Sequence, residues 1–121
     1  MCKFLERKPQ GGGTVSKPRE IWWSYAKAMV RQYPHITASA DAYKRLSKAQ
    51  QMEVLSVKEA LLITKSLPSA EIRLEIVKLV LWHEGCTLDQ AAARLYISES
   101  TAYRYHRDFI LLVGKCYGLT E

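Results

Sequence analysis

The chain lacks a long hydrophobic run. None of its 121 residues belongs to an uninterrupted apolar stretch of about 18, so the sequence offers no membrane span. The opening "MCKFLERKPQGGG" lacks the continuous apolar core of a secretory signal. Cysteine is scarce. Cys2, Cys86 and Cys116 are odd in number, far apart and in no CxxC pair. This argues against a disulfide framework and for a reducing cytoplasm. Histidine is scarce as well, with only His35, His83 and His106. "WHEG" is not followed by a second histidine at the metalloprotease spacing, and the His83/Cys86 pair has no second pair to complete a zinc site. His106, next to Arg107, is expected to meet solvent or a phosphate. No Gly-x-Ser-x-Gly elbow, phosphate-binding glycine loop or clustered carboxylate pair occurs. No catalysis, cofactor or metal is therefore expected.

What is present is an excess of positive charge, +6 in all. A basic balance favours anionic partners, chiefly nucleic acid. The charge is uneven. Residues 1–36 hold 7 Lys/Arg against 2 Asp/Glu, residues 37–86 hold 7 against 6, and residues 87–121 hold 4 against 4.

Residues 1–16 read as a flexible basic tail, with Lys3, Arg7 and Lys8 ahead of the linker Gly11–Gly13. Residues 17–66 read as an N-terminal helical region. Pro18 suits a first helical turn. Trp22, Ala26, Met29, Val30 and Tyr33 follow at helical spacing, and Tyr33-Pro34 is expected to end that helix. Trp22 falls on the apolar stripe. Trp23 lies about 100° round the helix, against a second element or a partner. One long helix is expected from about Ala40 to Ser66, either the spine of a bundle or a dimerising helix. Leu67-Pro68-Ser69 punctuates, with the Ser69 hydroxyl expected to cap the next helix. "AEIRLEIVKLVLWHEG" has a broad apolar surface, so Ile76 and Trp82 are expected to be buried beneath the last two helices. Gly85 is a suitable stop.

Residues 67–117 read as a helix-turn-helix region. Thr87 can cap a first short helix with Leu88, Ala91, Ala92 and Leu95 inside. Tyr96-Ile97 is a short turn, and Ser98 caps the second helix. Ala102, Tyr105 and Phe109 or Ile110 then point inward. Small Ala91, Ala92 and Ala102 allow a close crossing. The second helix would present Ser98, Ser100, Thr101, Tyr103, Arg104 and Arg107 to DNA, side chains that donate to phosphates and base edges. Tyr96 and Tyr105 are read as packing groups. "TLDQAAARLYISESTAYRYHRDFI" resembles a sigma-factor region-4-like helix-turn-helix. With the helical segment upstream, the chain is similar to small phage late transcription regulators of the ArpU/RinA type, most firmly over residues 67–113. One departure is Tyr96, which stands where such turns often have glycine. The resemblance implies promoter binding and regulation of phage late genes in the cytoplasm of a bacterial host.

The expected fold is therefore all-α, a small bundle of about five helices with a C-terminal helix-turn-helix. The expected function is sequence-specific binding of double-stranded DNA as a transcription regulator. A homodimer is an expected state, because one neutral module contacts few base pairs. Two alternatives stand beside this reading. One is a small-terminase-like DNA-packaging subunit, though such subunits usually place the DNA-binding helices first. The other is an adaptor that binds RNA polymerase through the helix-turn-helix, which the neutral C-terminal segment favours.

Overall fold

The computed structural model describes residues 22–38, 40–83 and 85–119. The expected tail over 1–16 and the expected helix start at Pro18 lie outside the described residues. Among the described residues there are six α-helices and no strand. They are α1 (Trp22–Ile36), α2 (Ala40–Lys44), α3 (Lys48–Thr64), α4 (Ala70–Ile76), α5 (Leu88–Leu95) and α6 (Glu99–Tyr117). α4 continues directly into a π-helical segment, Val77–Trp82. No helix among the described residues is long and apolar enough to cross a membrane.

Two helix boundaries differ from the sequence expectation. α1 does not stop at Tyr33-Pro34 but runs through Pro34 to Ile36. A proline inside a helix lacks the N–H that would bond the carbonyl four residues earlier, here that of Val30. The indole N–H of Trp82 donates to that carbonyl at 2.9 Å. The Trp82 ring also stacks on Tyr33, with centroids 6.0 Å apart and planes within 12°. A tertiary contact thus satisfies the group that proline leaves open. The single helix expected over residues 40–66 is instead two, α2 and α3. Ser47 breaks it with a capping box. Its Oγ accepts from the Gln50 N–H at 3.2 Å, and the Gln50 side-chain oxygen accepts from the Ser47 N–H at 3.1 Å.

The helices enclose two apolar clusters. The first joins α1 (Trp23, Ala26, Met29, Val30), α3 (Val57, Ala60), the π segment (Val77, Leu81) and the C-terminal half of α6 (Phe109, Ile110, Val113). Trp23, not Trp22, is the more buried of the pair. Trp22 lies over Gly114 of α6, where a Cβ would stand 2.6 Å from a ring carbon. The second cluster joins Ile76 with Ala91 and Ala92 of α5 and Ala102 and Tyr105 of α6, covered by Ile72, Leu79, Val80, Leu88, Leu95 and Ile97.

The broad apolar surface of residues 70–82 now has its reason. Ile76 faces the second cluster while Val77 and Leu81 face the first. The i→i+5 bonding of a π turn widens the helix there, and the His83 N–H closes it on the Lys78 carbonyl at 2.9 Å. Ile76 is fully buried, as expected. Trp82 is only half-buried and packs against the first cluster on α1, not beneath the last two helices. Gly85 takes the left-handed conformation, φ 85°.

Candidate nucleic-acid interface

α5 starts at a second capping box. The Thr87 Oγ1 accepts from the Gln90 N–H at 3.2 Å, and the Gln90 side-chain oxygen accepts from the Thr87 N–H at 3.0 Å. α5 ends at Tyr96, whose φ of 57° and ψ of 41° are left-handed. The Ile97 N–H bonds the Ala92 carbonyl at 3.1 Å, and the Tyr96 N–H lies 3.4 Å from that of Ala93. This is a Schellman stop with tyrosine in the usual glycine position. Ile97 then turns back onto the second cluster. Ala91, Ala92 and Ala102 are at most 1% exposed, so α5 and α6 cross at close range.

Ser98 caps α6. Its Oγ accepts from the Thr101 N–H at 3.1 Å and lies 2.8 Å from the Thr101 hydroxyl and 3.2 Å from that of Ser100. Ser98 is thus occupied by the helix start, and Thr101 is half-buried beside it. Ser100, Tyr103, Arg104 and Arg107 are exposed. At the α-helical step they share an arc of about 100°, with Thr101 outside it. Of the six expected site residues, four therefore form one outward face and two organise its first turn.

Three further placements were not evident from sequence. Arg73, on α4, donates to the Pro68 carbonyl at 2.9 Å, pairs with Asp108 of α6 at 3.3 Å, and sits 4.2 Å above the Tyr105 ring. It braces α6 against α4 and engages Asp108. The outward arc then carries two arginines and no carboxylate, although residues 87–121 sum to zero charge. Ser69 is left-handed, φ 60°, and its hydroxyl makes no cap bond. The Ser69 side chain instead, with Arg104 and Arg73, holds the Tyr105 phenol below its ordinary value against the opposing effect of burial. His106, expected at solvent or phosphate, is 7% exposed.

The most exposed large hydrophobic side chain of the described residues is Tyr96, at 96%. It was expected to pack, yet it stands almost fully exposed among the described residues. A bulky residue in the glycine position of a turn was the available signal. Backbone strain held at an exposed aromatic is the kind of outlier from which a functional role is inferred.

Among the described residues no group of three or more His, Cys, Asp or Glu side chains could hold a metal ion. The site's chemistry is donation: two guanidinium forks, a phenol and a hydroxyl on one helical face. No protein-family model, curated protein or solved structure matches this chain.

Proposed function

We propose that the chain is a sequence-specific transcription regulator that lays the N-terminal half of α6 in the major groove of double-stranded DNA. The observation that carries this reading is the outward arc of Ser100, Tyr103, Arg104 and Arg107 on a helix that is capped, closely crossed by α5 and braced by Arg73. A rigid helix with an exposed donor face is what base-edge readout requires. Arginine can donate bidentately to guanine, and serine and tyrosine hydroxyls reach phosphates. Tyr96, beside the start of α6, adds an aromatic to this surface. The resemblance to phage late regulators extends the reading to late promoters of a phage or prophage.

A genome-wide binding-site map supplies the operator, and a titration on matched and scrambled duplexes tests the helix. Arg104→Ala is expected to leave the fold intact, cost ~1–3 kcal/mol of binding and relax preference at one position. Arg107→Ala is expected to weaken all sequences alike and lower the salt slope by about one. A double alanine variant that binds its operator as tightly as wild type ends the reading.

A second reading, an adaptor on RNA polymerase, is favoured by one observation. Tyr96 and Tyr103 expose aromatic surface on a segment whose charges sum to zero. Polymerase capture in the absence of DNA, lost in Tyr96→Ser, distinguishes it.

A further inference from the structure

α3 is apolar on two faces. Val54, Val57, Ala60 and Thr64 are buried on its inner side. On the opposite side Lys48, Met52, Leu55, Glu59 and Leu62 follow one another at alternating steps of four and three residues. All five are exposed, and Met52, Leu55 and Leu62 are 59%, 51% and 55% exposed. Ile63 and, on α6, Leu111 extend the patch at 37% and 39%. Alternating four-and-three spacing is the register of two helices packed along a shared seam. Among the described residues only the Cys116 thiol of α6 reaches this face, beside Glu59, and its apolar residues stay uncovered.

The charges on the seam identify what does. Lys48 and Glu59 bracket Met52 and Leu55, so the seam carries both signs. Nucleic acid and an anionic lipid surface would each meet Glu59 unfavourably. A second copy of the same helix does not, provided it runs antiparallel. Antiparallel neighbours pair positions in reverse order. Setting Met52 against Leu55 of the second copy sets Lys48 against Glu59 of the second copy. The two-fold axis repeats both contacts, giving two apolar layers flanked by two ion pairs. A parallel pair would instead oppose Glu59 with Glu59 and Lys48 with Lys48. We infer that the chain forms a closed two-fold dimer through the outer face of α3, in the antiparallel register that joins Lys48 to Glu59. The contact is isologous, with the same patch used by both copies. This inference rests on α3 alone and does not depend on DNA binding.

Sedimentation equilibrium on the full chain tests it. Wild type is expected to dimerise and Leu55→Asp to stay monomeric. Lys48→Glu alone makes both end contacts acidic, and Glu59→Lys alone makes both basic. Each should weaken self-association by about tenfold or more. Mixing the two single variants should restore dimers, because each chain then supplies the charge that the other needs. The double variant Lys48→Glu/Glu59→Lys should dimerise by itself. Circular dichroism confirms that each variant is folded. A monomeric wild type, single variants that dimerise unchanged, or folded single variants whose mixture does not associate would each overturn the inference.

Discussion

Tyr96 shows how one side chain can be held at a cost. It occupies a left-handed position at φ 57° and is 96% exposed. A non-glycine residue there costs about 1 kcal/mol or more. Tyr96→Gly is therefore expected to stabilise the fold by roughly 1 kcal/mol, as read from chemical denaturation. Under the proposed function it should also weaken DNA binding. An unchanged or lower stability would mean that the turn holds no strain. Tyr25 makes a different case. Its hydroxyl donates to the Glu53 carboxylate and lies 3.3 Å from the Tyr117 hydroxyl. The bond to Glu53, then that to Tyr117, then burial raise its phenol well above the ordinary 10.0. The unfolded chain therefore loses this proton first. The contribution to stability is complete below about pH 10 and is lost as pH climbs above it towards the higher folded value. Denaturation midpoints measured up to about pH 11 should fall more steeply for wild type than for Tyr25→Phe. Equal slopes would show that Tyr25 titrates alike in both states.

Among the elements, α4 with its π extension resembles α6 in sending side chains into both clusters. Ile76→Ala empties a fully buried position between α4, α5 and α6 and should cost ~2–5 kcal/mol. A near-neutral result would mean that the second cluster does not hold the helix-turn-helix together. The elements that sequence made legible are those defined by neighbours three or four residues apart. Thr87 and Ser98 as caps, the small residues Ala91, Ala92 and Ala102, and the glycine-like role of Tyr96 are all of this kind. The break at Ser47 was equally local, but its capping box lay inside a run that also fitted one continuous helix. What could not be read are features set across long separations. Pro34 stays inside α1 because Trp82, in another helix, bonds Val30. Arg73 meets Asp108 thirty-five residues away, and Asp108 then no longer opposes the arginines of α6. His106 is buried because of where α6 packs, which its own sequence does not specify.

At the scale of the molecule, the turn near residue 67 divides the chain but not the packing. α6 is about 28 Å long by its 19 residues. Its N-terminal half carries the outward arc and its C-terminal half is core to the first cluster. The two clusters share one continuous helix, so thermal unfolding followed by far-UV circular dichroism and by hydrogen exchange should give one coincident transition. Two separable transitions would mean that the clusters are independent. The placement of the tryptophans has an optical consequence. All three, Trp22, Trp23 and Trp82, belong to or pack against the first cluster, and none lies in the second. Intrinsic tryptophan emission is therefore a colour signal from one end of the molecule only. A duplex docked on Arg104 and Arg107 touches no indole. Any shift in emission on adding DNA would measure how far the disturbance travels along α6, and a silent spectrum beside a clear change in tyrosine emission would mark the helix as stiff.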